Sequence, residues 1–206
     1  MRSLAWALAV WQVFRHAFLA IVVLFAARDL GFSAGHLGAL WMLAGIGSLC
    51  ATAVIERINR RFGFGRAMLA GILGTGLGWL LISAAQGGSI MASALFVTVL
   101  LLVDFSAMVF FINYLALRHA VTPDPLLGRV TATMICLTVA TAPLGGLAGG
   151  WLGEQAGLRS TMALAGLGAI FLVPLVAWAS PLLALGALPG AQAPRLTESV
   201  SEELAG

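Results

Sequence analysis

The stretch Ile90–Ile112 reads IMASALFVTVLLLVDFSAMVFFI, and Asp104 is the single charged residue in it. An α-helix needs about 20 consecutive apolar residues to cross the hydrocarbon core of a bilayer. A strand of a membrane β-barrel needs about half that number and alternates apolar with polar residues. Because this run is long and almost continuously apolar, it predicts a transmembrane helix with a charge near its middle.

Five other stretches share this character, and charged residues concentrate in the gaps between them. The sequence therefore predicts an all-α membrane protein whose six-helix bundle occupies residues 1–180. The predicted spans are 4–27, 37–55, 67–85, 90–112, 130–152 and 161–180. The composition agrees, because 61% of the residues are hydrophobic and 9% are charged, against about 25% charged in a soluble domain. Residues 181–206 are rich in Ala, Pro, Gly and acidic residues, which predicts a disordered tail.

Arginine supplies all 11 basic residues of the chain, and its distribution predicts the orientation. Eight arginines lie outside the spans on one side of the alternation, two lie on the other side, and Arg15 lies within the first span. Cytoplasmic loops carry the excess of basic residues. We therefore expect a multi-pass protein of the cell membrane with both termini in the cytoplasm. The arginines do not gather on one soluble surface, so they do not indicate a nucleic-acid partner.

A weak internal repeat relates the two halves of the bundle. The second span ends in Glu56, and Gly63 and Arg66 open the third; the segment Gly153–Arg159 has a similar order between the fifth and sixth spans. With three helices in each unit, the two units must have opposite orientations in the membrane. The pattern predicts a 3+3 inverted repeat, which is common in secondary transporters.

Polar residues within two spans are the main candidates for a functional site. Asp104 lies near the middle of the fourth span and Arg15 near the middle of the first, where Gln12 and His16 lie at helical spacing. A charge at the bilayer centre costs roughly 2.5–3.5 kcal/mol, so it usually faces a cavity or a partner. We expect Asp104 and Arg15 to approach each other or to share one aqueous cavity. A structural ion pair, a site for a proton or a cationic substrate, and a water-filled vestibule all fit this pattern.

Small residues in the fifth span predict close packing of helices. The residues concerned are Pro143, Gly145, Gly146, Gly149 and Gly150, and glycines four residues apart fall on one helical face. Small residues at such positions let two helix backbones approach closely in a membrane. The alternative function is a flexible or sliding seam, formed by Pro143 and these glycines, during a conformational change.

Enzyme signatures are absent from the sequence. It contains no P-loop, no His-Glu-x-x-His motif and no Gly-x-Ser-x-Gly nucleophile elbow. The aspartates are scattered, and the histidines His16, His36 and His119 fall at different predicted depths. We therefore expect no catalytic residues, no metal site and no cofactor.

Two charged segments carry a resemblance to a known family. The segment Glu56–Arg66 resembles the charged loop motif of the major facilitator superfamily, with Thr52, Glu56 and Asn59 standing where that motif has Gly, Asp and Gly. In that family the motif is a cytoplasmic latch that pairs its acidic residue and arginines with neighbouring helix ends. The resemblance implies this role for a set of charged residues, namely Glu56, Arg57, Arg60, Arg61 and Arg66.

The second segment, Asn113–Ala132, is similar to the loop between helices ten and eleven in the drug-exporter branch of that superfamily. That branch includes macrolide and siderophore exporters. Its Pro-Leu-Gly helix and Gly-Leu-Arg turn are matched here by Pro143–Gly150 and Gly157–Arg159. The candidate residues in this second cytoplasmic loop are Arg118, Pro123, Asp124, Gly128 and Arg129.

The resemblance implies that the chain is the C-terminal six-helix half of a twelve-helix transporter. The function implied is proton-coupled export of small amphipathic molecules by alternating access. In that fold the first and fourth helices line the substrate cavity, which would contain Gln12, Arg15, His16 and Asp104. The partners implied are the lipid bilayer, a small-molecule substrate, and an N-terminal six-helix half or a second copy. The alternatives are a complete six-helix exporter that dimerises and a membrane scaffold without transport activity.

Overall fold

The computed structural model describes residues 2–85 and 90–179 and contains six α-helices within those ranges. The helices are α1 (Arg2–Arg28), α2 (Ala34–Phe62), α3 (Phe64–Ser83), α4 (Ile90–Val121), α5 (Asp124–Ala156) and α6 (Leu158–Ala179). Each is long and apolar enough to cross a membrane, which confirms the predicted all-helical fold with six helices of membrane-spanning length and composition. The predicted tail at 181–206 lies outside the described residues.

The helices extend beyond the predicted spans, chiefly where two loops were expected. Helix α2 continues through the first charged segment to Phe62, and a single residue, Gly63, separates it from α3. Helices α4 and α5 are 32 and 33 residues long, and only Thr122 and Pro123 lie between them. The loop assignments therefore require correction. Arginine is a good helix former, so a helix continues past the hydrocarbon core wherever no residue stops it.

Two glycines make the shortest connections of the bundle. Gly63 has φ 81° and ψ 155°, and Gly157, between α5 and α6, has φ 86° and ψ 153°. A positive φ of this size is readily adopted by glycine alone, since it has no Cβ. Each glycine carbonyl also accepts a hydrogen bond at 3.1 Å from the backbone N–H of the following helix. Both connections therefore depend on glycine.

The packing divides the helices into a central set and two flanking helices. Helix α1 packs against α5 and α6, helix α4 packs against α2 and α3, and α3 packs against α6. Helices α2 and α5 are the least buried of the six, because each packs mainly against one neighbour. The core contains large side chains such as Phe18 and Trp79, which are 2% and 1% exposed and stack with ring centroids 5.0 Å apart.

Glycines bring several helix pairs into close contact. On α5, a Cβ added at Gly145 would lie 2.5 Å from the carbonyl oxygen of Val13, and one at Gly149 would lie 2.6 Å from that of Ala17. Gly146 and Gly150 have no atom of the described chain within 4 Å of the same position. Gly145 and Gly149 therefore lie on a face of α5 that contacts α1. Gly146, Gly150 and the exposed Pro143 lie on a face that does not.

Candidate functional site

A cavity of about 340 Å³ lies between four helices at mid-depth in the bundle, and it is partly open to the outside. Each of the four helices contributes at least one polar side chain to it. They are Gln12 and Arg15 from α1, Ser48 from α2, Asp104 from α4 and Thr138 from α5. Arg15 is the middle residue of α1, and Asp104 lies near the middle of α4. The two charged residues that the sequence predicts at similar depth therefore line one cavity.

Arg15 and Asp104 do not form a direct ion pair. Both side chains are half-buried and close enough for their charges to interact through space. Among the side chains that the structure describes, however, the one ion pair is Glu56–Arg60. The guanidinium carbon of Arg15 instead lies 5.9 Å from the ring centroid of Trp11, which is within range for a cation–π interaction. The two charges thus face one space without neutralising each other directly.

A smaller inner cavity of about 60 Å³ adjoins the same two charges. Arg15, Asp104 and Ala107 line both cavities, while Thr75 and Trp79 line the inner one alone. The indole N–H of Trp79 is buried and has no hydrogen-bond partner in the described chain. Buried donors are nearly always hydrogen-bonded, and a polar space of this size is large enough for a few water molecules. The carboxylate of Asp104 therefore lies between a ligand-sized space and a water-sized one.

His16 lies apart from this site. Its Nδ1 donates a hydrogen bond to the backbone carbonyl of Gln12 at 2.7 Å, and its side chain belongs to the contact with α5, where Gly145 packs. It does not line either of the two cavities. Gln12, by contrast, does line the larger cavity, although its side chain is 6% exposed. Of the four cavity candidates, the structure brings three together.

The first charged segment lies at the α2–α3 end of the bundle. Arg60 and Glu56 form an ion pair at 3.6 Å, with side chains that are 70% and 79% exposed. Such exposed pairs contribute little to stability, about 0–1 kcal/mol. Arg57 and Arg61 are exposed, and the guanidinium carbon of Arg61 lies 5.6 Å from the ring of Phe62. None of these residues contacts the cavity.

Arg66, the last residue of this set, lies in the first turn of α3 rather than in a loop. It lines an apolar groove of about 310 Å³ that α2, α3 and α4 form on the outside of the bundle. Phe62 and Phe105 line the same groove. This groove is separate from the cavity that contains Arg15 and Asp104.

The second charged segment contributes to α4 and α5. Arg118 lies in the last turn of α4 and is 9% exposed, with its guanidinium carbon 6.0 Å from the ring of Tyr114. Pro123 precedes α5, and Gly128 and Arg129 are exposed in its first two turns. The backbone of Asp124 begins α5, while its side chain lies outside the part of the chain that the structure describes.

A polar contact that sequence reasoning missed joins α2 to α4. Asn59 Nδ2 donates a hydrogen bond at 2.7 Å to Oδ1 of Asn113, and Asn113 Nδ2 donates to the backbone carbonyl of Val109 at 3.0 Å. Asn113 is 0% exposed. Side-chain amides within transmembrane helices often bond across a helix pair. Two asparagines in otherwise apolar helices were therefore the signal that could have identified this contact.

No model of a known protein family matches the chain, and no curated protein sequence matches it. Among residues 2–85 and 90–179, no three His, Cys, Asp or Glu side chains lie close enough together to hold a metal ion.

Proposed function

We propose that this chain is one six-helix half of an alternating-access exporter of small amphipathic molecules. The cavity that contains Arg15 and Asp104 forms half of the substrate site. A second six-helix body, either an N-terminal half or a second copy, completes it. The observation that carries the proposal is the partly open cavity at mid-depth, to which α1 and α4 contribute opposite charges.

The charges favour a cavity with a ligand over a purely structural role. Charged residues within a bilayer normally face water, a partner or a transported molecule. A structural pair is stable when the two groups bond directly and satisfy each other. Arg15 and Asp104 instead line a common space and form no ion pair within the described chain. This arrangement is what a site that admits a polar ligand requires.

The packing supports a 3+3 inverted repeat. The contacts keep the same pattern when α1 and α4, α2 and α5, and α3 and α6 exchange places. Gly63 and Gly157 occupy equivalent places in the two units, and their φ and ψ angles differ by 5° or less. Inverted repeats place the substrate site near the bilayer midplane at the repeat interface. The same organisation belongs to each half of the major facilitator superfamily, which the charged segments resemble.

The flanking helices support a second body beside the cavity. Ser48 of α2 and Thr138 of α5 both line the cavity, and both helices are largely exposed. Helix α5 contacts α1 through a narrow stripe of buried residues, Thr141, Gly145 and Gly149. A six-helix body that covers both flanking helices would close the cavity on its open side.

Proton coupling and the direction of transport form the last part of the proposal. Asp104 is the acidic residue of the cavity, so it is our candidate for the proton-binding group. The arginine distribution supports cytoplasmic termini in the cell membrane. Export follows from the resemblance to the drug-exporter branch.

Efflux from proteoliposomes tests this function. The protein, prepared from native-like membranes with whatever body co-purifies, is assayed with a panel of amphipathic dyes under an imposed proton gradient. We expect D104N and R15Q to lower efflux at least tenfold. D29N and R28Q make the same chemical changes at exposed positions and should leave efflux unchanged. Efflux that is equal in D104N and the parent chain, or the absence of efflux of any dye, would overturn the proposal.

A further inference from the structure

We infer that the cavity selects zwitterions: small molecules that carry an anionic group for Arg15, a cationic group for Asp104, and an apolar or aromatic body. This inference rests on the proposed function, since it names the substrate class of the same site. It goes beyond amphipathic molecules in general, because it requires two opposite charges on one ligand. It also distinguishes this cavity from a site that binds lipophilic cations.

The first step concerns the partners of the two charges. No hydrogen bond or ion pair is formed by either the Arg15 guanidinium or the Asp104 carboxylate within residues 2–85 and 90–179. They project from different helices, α1 and α4, into the same space of about 340 Å³. The guanidinium and the carboxylate are therefore both available to hydrogen-bond a molecule in the cavity.

The second step concerns electrostatic balance at this depth. A ligand with one charge would pair with one of the two residues and leave the other uncompensated in a low-dielectric environment, which is costly. A zwitterion pairs with both at once, so the occupied cavity has no net charge. The planar guanidinium of Arg15 binds carboxylate or phosphate through two parallel hydrogen bonds. The carboxylate of Asp104 accepts hydrogen bonds from an ammonium group.

The third step concerns the rest of the lining. Trp11, Met108 and Phe111 supply apolar and aromatic surface beside the charges. A cavity of about 340 Å³ lies at the lower end of the range for ligand sites. These features fit an amino acid with an apolar side chain or a short peptide-like molecule.

Binding of matched ligands tests the inference without relying on transport. The purified protein in lipid nanodiscs is titrated with phenylalanine and phenylalanyl-alanine, each as the free zwitterion, the methyl ester and the N-acetyl derivative. Calorimetry or quenching of tryptophan fluorescence gives the affinity. We expect the zwitterions to bind at least tenfold more tightly than the ester, which lacks the anion, or the acetyl form, which lacks the cation. Equal or tighter binding of either singly charged form, or no binding of any form, would overturn the inference.

Variants assign each ligand charge to one residue. D104N should remove the advantage of the zwitterion over the acetyl form, and R15Q should remove its advantage over the ester. The double variant R15D/D104R exchanges the charges and should restore much of the preference, which guards against simple misfolding of the single variants. D29N should show the same selectivity as the parent chain. A loss of affinity that is equal for all forms in both single variants would count against a role for the charges in selectivity.

The two proposals fail in different ways. If zwitterions bind selectively but nothing is transported in proteoliposomes, the transport function is wrong and the site remains. If dyes with a single charge are transported and D104N abolishes that transport, while zwitterions show no preference, the transporter stands and the zwitterion inference is wrong.

Discussion

The contact between α5 and α1 leads to the most specific prediction, which concerns Gly149→Ala. A methyl group at this position would lie 2.6 Å from the carbonyl oxygen of Ala17 and 2.8 Å from its Cα. Both atoms belong to the backbone of α1, so no side-chain rotation relieves the clash. Because ordinary contact begins at 3.4 Å, α5 has to move away by about 0.8 Å in a region of near-crystalline packing density.

The expected cost follows from overpacking. Inserting a methyl group into a well-packed interface typically destabilises a protein by about 1–3 kcal/mol. Gly150→Ala is the matched control, since it adds the same group to the next residue of the same helix, where nothing lies within 4 Å. Alanine favours a helix over glycine by about 1 kcal/mol. Both variants gain this preference, so they should differ in stability by the overpacking cost alone, about 1–3 kcal/mol.

Unfolding in mixed micelles, and melting followed by size-exclusion chromatography, measure this difference. G149A should melt at least about 2 °C below G150A, given about 2–4 °C per kcal/mol for a chain of this size. It should also weaken ligand binding, because α5 contributes Thr138 to the cavity. If G149A and G150A have equal stability, α5 does not lie against α1 at Ala17, and the cavity described above is wrong on that side.

Three further outcomes are expected. The exposed cysteines Cys50 on α2 and Cys136 on α5 each lie 12 residues from the helix end in the charged segment. If the second body is another copy, an oxidant should give a disulfide-linked dimer on non-reducing gels. C50S or C136S alone should lower the amount of this dimer, and the double variant should lack it. Asn113→Ala should destabilise the protein by about 1–3 kcal/mol in the same micelle assay, because it leaves the Asn59 amide without its partner; a stability equal to that of the parent chain would show that the α2–α4 bond contributes nothing. Gly63→Ala should lower the melting temperature, whereas G150A should not, since the φ of 81° at Gly63 is unfavourable for alanine; an unchanged melting temperature of G63A would contradict the single-residue turn.

The helices could be predicted from sequence because their apolar runs match the thickness of a bilayer, whereas their ends could not. The hydropathy pattern identifies the hydrocarbon core and places the end of a span at the first charged residues. The backbone hydrogen bonds of α2, however, continue past Arg57 to Phe62. What ends α2 is Gly63, whose backbone conformation a hydropathy pattern does not reveal. The predicted loops were therefore mostly the helical ends of long helices.

The cavity was partly predictable for a related reason. Depth is a one-dimensional quantity, so counting residues along each helix places Arg15 and Asp104 at the same level. The direction of a side chain around the helix axis depends on neighbouring helices. Successive residues differ by about 100° around the axis, so Arg15 turns toward the cavity while His16 turns toward α5. Sequence spacing relates these two residues to each other but does not show which neighbour each one meets.

The separation of the two charges has a consequence for how binding and movement are connected. The contacts also divide the bundle into two three-helix sets, which differ from the central and flanking helices described above. Arg15 belongs to the set formed by α1, α5 and α6, and Asp104 belongs to the set formed by α2, α3 and α4. The sets meet closely at Gly76 and Gly166, where a Cβ on either residue would lie less than 3 Å from the carbonyl oxygen of the other. Such a contact between small residues lets the two helix backbones approach closely. A ligand that bonds to both charges joins the two sets across the cavity. Its binding energy therefore favours whichever arrangement brings Arg15 and Asp104 to the distance that the ligand spans, and this differential affinity is what a substrate needs to shift a conformational equilibrium.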